Sequence, residues 1–403
     1  MLTLLSKRII DKLQENTVIN SLIIFYCSFM IMSPPFFIAY FPSHIKTPLR
    51  LLGILFILIV YFFYIIYKKR ISKLFVLAFL MCSYFLVVCI FNHNGFYSSL
   101  YSNFLMVLSG IALFEIYINS ELKDSFIKMN YLYWLSVILL SIIGYLFQYE
   151  KIITMVFGYW NYSFIYNRNI YLPFFIVYIL FEKQYIFINK SKVYRIISYI
   201  MSILLVFFSI LTGAAISTAT LIIIYSYEYI FSKIVLYKRL FGNFRIYFII
   251  LLFIFFLLVF PGSNSPITNI ISEIFHKEPG LSGRDAVYDI DRMFFLNNPI
   301  FGYGARDEYY SLIGVPSAHS FVFQYLIDGG IIGLLLISIN YKKIIDAICR
   351  KIPFDLSCYL LLVLFAFTMR NLFEAIGLNY MFFPLASIYF SFNSHYEDYY
   401  LFN

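Results

Sequence analysis

The residue types best suited to chemistry lie at the two ends of one long polar segment that separates apolar runs. His319 opens the stretch HSFVFQYLIDGGIIG, and Arg284 lies upstream in GLSGRD. A neutral imidazole accepts a proton near pH 7, and a guanidinium binds phosphate oxygens through two parallel hydrogen bonds. Together the two residues predict a reaction in which His319 removes a proton while Arg284 binds an anion. For His319, a capping or interfacial role is the alternative.

A short amphipathic helix is predicted where the first of these residues lies. In SGRDAVYDIDRMFFL, Ser282 can cap the helix with Asp285 three residues later. Arg284 then falls in the first turn, where free backbone N–H groups also favour an anion. The chain continues as NNPIFGYGA, a turn that contains Gly302 and Gly304. The predicted apolar face of the helix consists of Ala286, Ile290, Met293 and Phe294.

Four more arginines are candidates for binding the same anion. Arg292 and Arg306 share the polar segment with Arg284, whereas Arg168 lies in YNRNIYLP. For Arg292 and Arg306 the alternative is a solvated loop charge. Arg370 lies in FTMRNLFEAIG, at the outer end of an apolar run. There an i, i+4 ion pair with Glu374 is the alternative to a role in binding.

A metal site is not predicted. Asp289 and Asp291 are the acidic pair in DID, but on a helix their side chains point to different sides. They therefore make a poor divalent site. The expected reaction uses neither metal nor cofactor, and arginine balances the charge of the anion.

The elements that position these residues are membrane helices. The 403-residue chain is 62% hydrophobic and 13% charged, with a mean hydropathy of +0.82, whereas soluble domains carry roughly 25% charged residues. Apolar blocks long enough to cross a bilayer recur along it. The fold class expected is all-α: a polytopic membrane protein of about 12 transmembrane helices.

The predicted spans set the topology. Most of the 30 Lys and Arg fall between spans on one side, so the positive-inside rule places both termini in the cytoplasm. The net charge of +9 thus reflects topology and not a nucleic-acid partner. Residues 1–403 are expected to form one membrane domain, and residues 262–318 a large external loop. The predicted spans are 18–41, 50–67, 72–91, 99–118, 130–149, 169–186, 196–211, 214–231, 246–261, 319–340, 355–372 and 374–392.

The external loop resembles the signature region of the O-antigen polymerase and ligase families, the Wzy and WaaL type. The matching stretches are GLSGRD, NNPIFGYG and AHSFVFQYLIDGGIIG, in that order. About three helical turns separate His319 from Gly330, a spacing that these families share. Gly330 is expected to lie on the histidine's face and to let a neighbouring helix approach. In two departures, Ser320 replaces the family's Asn, and LTGAA replaces a Ser-Arg-Gly hairpin.

The resemblance implies an inverting glycosyl transfer at the outer face of the bacterial plasma membrane. The substrates would be undecaprenyl-pyrophosphate-linked oligosaccharides, and the product an O-antigen or capsular polysaccharide. His319 is then the general base and Arg284 the first pyrophosphate ligand, with Arg168 as the second cation. A chain-length regulator and a flippase are the protein partners that the resemblance implies. The remaining expected substrate-binding positions are Arg292, Arg306, Arg370, Ser320, Gly302, Gly304 and Gly330.

Two alternatives stay open. A ligase of the same family would transfer a finished glycan to another acceptor, and the missing LTGAA arginine favours a polymerase over it. A lipid-linked oligosaccharide flippase would also have about twelve spans. However, a transporter is expected to contain two similar halves and charged residues along a cavity, and the sequence has no half-to-half repeat.

Overall fold

The structure is a computed structural model, and its description covers most of the chain. The described residues are 17–31, 43–93, 97, 100, 104–146, 171–212, 215–234, 243–264, 284–304, 320–351, 354–373, 377–391 and 399–401. Helices dominate them, which confirms the all-α polytopic class. The bounds of the elements are α1 Thr17–Ile31, α2 Ser43–Lys68, β1 Arg70–Ser72, α3 Lys73–Phe91, α4 Met106–Ile118, α5 Lys123–Leu146, α6 Tyr171–Asn189, α7 Lys192–Leu211, α8 Ala215–Tyr229, α9 Phe244–Ile254, α10 Arg284–Asn297, α11 Phe321–Lys351, α12 Phe354–Leu372, α13 Leu378–Ser391 and β2 Tyr399–Leu401.

Each predicted span overlaps one of the helices α1–α9 and α11–α13, although α11 continues to Lys351, well beyond the predicted end at residue 340. Within the described ranges, seven helices are both long and apolar enough to cross a membrane. Four shorter apolar helices also occur there: Asn20–Ile31, Met106–Ile118, Phe244–Val259 and Tyr380–Phe390. The last part of the third of these is a π-helical turn, Phe255–Val259. The helix predicted in the external loop is α10, which begins at Arg284.

The chain divides into two compact units. The first comprises residues 1–76, 105–225 and 379–403, and the second residues 77–104 and 226–378. The expectation of a single membrane domain stays a prediction.

The first unit is built around α4. Every residue of this helix is buried, as expected of a helix that is apolar on all sides. The ring of Phe114 lies 4.9 Å from that of Phe383 and 5.3 Å from that of Phe126. One carboxylate lies in this core. Glu115 accepts hydrogen bonds from the Tyr61 hydroxyl at 2.7 Å and from Ser72, through Oγ at 2.5 Å and the backbone N–H at 3.1 Å, which offset the cost of burying it.

A short antiparallel pairing closes the same unit. Arg70 lies opposite Leu401, and Ser72 opposite Tyr399. The loop after α2 and the end of the chain therefore lie on one side of the protein. This agrees with the predicted topology, in which both are cytoplasmic.

The second unit contains most of α3 together with α9–α12. Asn243 caps α9 by accepting a hydrogen bond from the Arg245 backbone N–H at 3.1 Å. A cluster of apolar side chains from four elements forms the core at the ends of α9 and α12. Its buried members are Phe255, Val259, Tyr288, Phe323, Leu326, Ile327 and Leu372.

Candidate active site at a broken helix

Helix α11 is interrupted near the middle of its apolar stretch. At Gly330 the backbone has φ 62° and ψ −164°, which is not helical. An interruption leaves carbonyls before it and N–H groups after it without helical partners. Inside a membrane such groups need partners from the protein, because lipid provides none.

The loop that follows α10 supplies these partners. We call residues 298–304 the plug. The N–H groups of Tyr303 and Gly304 donate to the carbonyls of Ile327 and Asp328 at 2.7 and 2.8 Å. After the break, the N–H group of Ile331 donates to the plug at 2.8 Å and that of the next residue at 3.4 Å. The sequence NPIFGYG is therefore the segment that provides hydrogen-bond partners for the backbone groups on both sides of the break.

Glycine is required on both sides of this contact. Gly302 has φ 71°, and a Cβ there would lie 2.6 Å from the backbone nitrogens of Gly329 and Gly330. A Cβ on Gly330 would lie 2.7 Å from the Phe301 nitrogen and would overlap the Ile300 carbonyl. These contacts are to backbone atoms, which cannot move aside as a flexible side chain can.

The expected role of Gly330 was partly wrong. Its close neighbour is the plug and not another helix. Gly329 and Gly333 instead face Phe85 of α3, so these two glycines, four residues apart, allow the approach of a helix. The prediction assumed a continuous helix through Gly330. Because the backbone at Gly330 is not helical, this glycine does not lie on the helix face that a 3.6-residue period assigns to it.

Tyr84 joins α3 to the same junction. Its hydroxyl donates to the Gly329 carbonyl at 2.8 Å and lies 3.3 Å from the Phe301 carbonyl. The first of these carbonyls precedes the break, and the second belongs to the plug. Nothing in the sequence around Tyr84 marks it as special among the 38 tyrosines of the chain.

Arg292 fastens α10 to the end of α9. Its guanidinium donates to the carbonyls of Phe260 and Pro261 at 3.1 and 2.9 Å, and pairs with Asp289 at 2.9 Å. Asp289 also accepts hydrogen bonds from the Ser263 hydroxyl and, at 3.3 Å, from the Ser263 backbone N–H group. These contacts occupy much of the guanidinium and favour a positioning role for Arg292. Its predicted role in substrate binding stays a prediction.

The buried face of α10 is rotated relative to the predicted one. Tyr288 is fully buried and Val287 nearly so, whereas Met293 is 63% exposed and Ala286 is also exposed. The mismatch arises because Asp291, fully buried, lies on the inner face, and a carboxylate is not counted in an apolar pattern. As predicted, Asp289 and Asp291 lie in different environments, the former being part-exposed.

These contacts join the helix that begins at Arg284 to the helix that follows Ser320. Arg284 is the first residue of α10, so the free backbone N–H groups of that helix lie beside it. His319 comes directly before Ser320, whose carbonyl accepts a helical hydrogen bond from Gln324 at 2.9 Å. The side chain of Arg284 and the whole of His319, Arg168 and Arg306 lie outside the described residues, so their roles stay predictions.

A buried arginine lies in the last turn of α12. Arg370 is 2% exposed and donates to the Asn371 side-chain oxygen at 3.0 Å. Leu372 next to it packs into the apolar cluster with Tyr288 and Phe323. Glu374, its expected ion-pair partner, lies outside the described residues. Arg370 therefore lies on an element that contacts both α10 and α11 through this core.

In the part of the chain that the structure describes, no group of three or more His, Cys, Asp or Glu side chains converges. The free backbone N–H groups in the first turn of α10 can bind an anion. The arrangement can hold an anion at the start of α10 and place groups from the start of α11 on a rigid support.

Comparison with known proteins gives one match. Residues 200–338 match the family described as O-Antigen ligase. This range includes α10, the plug and the break in α11. No curated protein and no solved structure matches the chain. The family match thus covers the site and confirms the resemblance to the Wzy/WaaL type, and it supports a role in processing surface glycans.

Proposed function

With the O-antigen ligase family match over residues 200–338 as the premise, we propose that this protein is a polymerase of lipid-linked oligosaccharide repeat units. It transfers the growing glycan from undecaprenyl pyrophosphate to a hydroxyl of the next repeat unit. The reaction takes place at the outer face of the bacterial plasma membrane and inverts the anomeric centre. The product is an O-antigen or capsular polysaccharide.

One observation carries the proposal: the plug fixes α10 against the broken α11. Arg284 begins the first helix, and His319 lies just before the second. Three well-formed backbone hydrogen bonds, of 2.7, 2.8 and 2.8 Å, join the plug to α11. A transfer enzyme needs such rigidity, because an anion-binding group and a base act on the same substrate only if their separation is fixed.

The leaving group explains why basic residues are needed. A pyrophosphate carries several negative charges and is anchored to the bilayer by its lipid. The start of α10 offers it the Arg284 guanidinium and free N–H groups of the first helical turn. Arg168, Arg306 and Arg370 are the further cations proposed to bind the donor.

The proton transfer gives His319 its role. As the acceptor oxygen attacks the anomeric carbon, His319 takes the hydroxyl proton. A new carbon–oxygen bond forms on one face of the sugar while the bond to pyrophosphate breaks on the other. The pyrophosphate leaves with the electron pair, and the configuration inverts. Developing negative charge on the leaving group is stabilised by Arg284.

The proposed substrates determine both the membrane environment of the reaction and the protein partners. Donor and acceptor are both lipid-linked, so the membrane itself is part of the binding environment. A flippase would deliver repeat units to the outer face, and a chain-length regulator would set the length of the product. Both are proposed as partners of this protein.

The decisive experiment is a gel of surface glycan from cells that carry His319→Ala or Arg284→Ala. A ladder that collapses to a single repeat on its normal anchor, with protein present on an immunoblot, supports the proposal. Matched controls are His44→Ala, an exposed histidine at the start of α2, and Arg350→Ala, an exposed arginine near the end of α11. Unchanged ladders for both site variants would contradict the assignment.

A ligase is the second candidate, because the matching family is described as O-Antigen ligase. A ligase would use the same donor chemistry but would transfer a finished glycan to a different acceptor. The same gel distinguishes the two. Loss of a ligase leaves full-length glycan on the undecaprenyl carrier, whereas loss of a polymerase leaves single repeats.

A further inference from the structure

Three polar residues follow one face of α11 from its start to the break. Ser320, Gln324 and Asp328 are spaced four residues apart, so they lie one above another on the helix. Ser320 is fully buried and Asp328 is 4% exposed, while Gln324 between them is half-buried. Polar and charged groups at membrane depth are costly and tend to be functional. We call these three residues the polar stripe.

Asp328 fixes the orientation of the Gln324 amide. The Gln324 Nε2 group donates to Asp328 Oδ2 at 2.8 Å. The NH2 group of the amide therefore faces Asp328, and the amide's carbonyl oxygen is not used in this hydrogen bond.

The support beneath the polar stripe is rigid. The Asp328 carbonyl accepts the hydrogen bond from Gly304 of the plug, two residues before the break at Gly330. The position of the carboxylate is therefore set by the same contact that joins α10 to α11. Within the described residues, the Ser320 hydroxyl at the other end is buried and has no hydrogen-bond partner.

We propose that Gln324 binds a hydroxyl of the acceptor glycan, with Asp328 as a positioning residue and Ser320 as a second contact. The Gln324 amide and the Ser320 hydroxyl lie about one helical turn apart along the helix, so they can contact two non-adjacent hydroxyls of one sugar. The inference rests on the proposed function and deepens it, because it assigns a specificity-determining group to the acceptor. The acceptor would then approach from the side of α11, next to His319, while the pyrophosphate of the donor lies at α10.

The test is a measurement of acceptor and donor KM for the purified protein in lipid nanodiscs. The donor is the lipid-linked repeat unit extracted from cells that lack this protein. The acceptor is the same oligosaccharide on a short alkyl group, which cannot act as a donor because it has no pyrophosphate. The variants are Gln324→Met, which keeps the side-chain length, and Ser338→Ala as a control on the exposed part of the same helix.

Gln324→Met is expected to raise the acceptor KM about tenfold, the effect of losing one hydrogen bond in an enclosed site. The donor KM should stay within about twofold, while the thermal unfolding temperature falls modestly because Asp328 loses the hydrogen bond from Gln324. An acceptor KM equal to that of wild type and Ser338→Ala would overturn the inference. So would an equal change in the donor and acceptor KM values, because that pattern indicates a structural role.

Asp328→Asn provides the test of positioning. It should raise the acceptor KM in the wild-type background but add nothing to the effect of Gln324→Met on that KM, because the proposed effect of Asp328 on the acceptor passes through the Gln324 amide. Independent, additive effects would contradict this part of the inference. If the wild-type protein transfers no sugar to the alkyl acceptor or to the lipid-linked unit, the proposed function itself fails. If the wild-type protein is active and Gln324→Met has the wild-type acceptor KM, only the proposed acceptor contact is refuted.

Discussion

Replacing Gly330 by alanine tests the junction between the plug and α11 at its tightest point. The new methyl group would overlap the Ile300 carbonyl and lie 2.7 Å from the Phe301 nitrogen. The backbone at this glycine also has φ 62° and ψ −164°, a region essentially reserved for glycine. Neither conflict is relieved by rotating a side chain, so the plug must move.

The expected cost follows from two contributions. The strained backbone costs about 1–3 kcal/mol, and losing two well-formed hydrogen bonds of the plug costs about 1 kcal/mol each. Together they amount to about 3–5 kcal/mol. At about 2–4 °C per kcal/mol for a unit of this size, the unfolding temperature should drop by about 6–20 °C. The glycan ladder should be lost at the same time, because α10 and α11 are no longer fixed.

A thiol-reactive fluorogenic probe measures this unfolding directly. Cys82 and Cys358 are buried in the same unit and become reactive only when it opens, whereas Cys349 is exposed and gives the background. Gly110→Ala is the matched control. A Cβ on Gly110 would meet its nearest neighbours at 3.6 Å, an ordinary contact in the middle of a helix, so its stability should be equal or slightly higher. Wild-type stability and a normal ladder for Gly330→Ala would refute the reasoning.

Three further changes probe the supporting contacts. Tyr84→Phe removes the hydrogen bond to the Gly329 carbonyl and leaves a buried acceptor unpaired, so it should destabilise the protein by about 1–3 kcal/mol. The same thiol assay measures this loss, and unchanged stability would mean that the hydroxyl is dispensable. Arg292→Lys should weaken the docking of α10 by about 1–2 kcal/mol, because an ammonium cannot reach two carbonyls and Asp289 in the same geometry; a double-mutant cycle with Asp289→Asn that shows no coupling would contradict this. Glu115→Gln should destabilise the first unit by about 1–3 kcal/mol, because one of the two accepting oxygens becomes an NH2 group, which cannot accept a hydrogen bond from Tyr61 or Ser72. Circular dichroism on heating measures the effect, and an increase in stability would contradict it.

The sequence was a good guide to elements defined by composition. Apolar blocks predicted the positions of α1–α9 and α11–α13, and among the described residues seven of these helices are long and apolar enough to cross a membrane. The amphipathic stretch after GLSGRD predicted α10 to within one or two residues at each end. Charge distribution placed residues 70–72 and the chain end on one side, in agreement with the pairing of β1 and β2. These features depend on local residue type and on the thickness of a bilayer, and both can be read along the chain.

The junction itself could not be predicted in this way. The glycines of NNPIFGYG and DGGIIG were recognised as motifs, but their meeting depends on a contact between segments distant in sequence. A helical pattern continues through Gly330 without any sign of a break, and Tyr84 makes its contribution from a helix more than two hundred residues away. The buried face of α10 was misassigned for a related reason, because Asp291 is buried in spite of its charge.

The most direct test of the central claim is reconstitution of the wild-type protein in nanodiscs with one substrate, the lipid-linked repeat unit. We expect a lipid-linked dimer and longer products, together with one free undecaprenyl pyrophosphate for each linkage formed. His319→Ala and Arg284→Ala should give neither. If the wild-type protein leaves the repeat unit unchanged, but transfers a preformed glycan to a different acceptor, the protein is a ligase and the polymerase proposal is wrong.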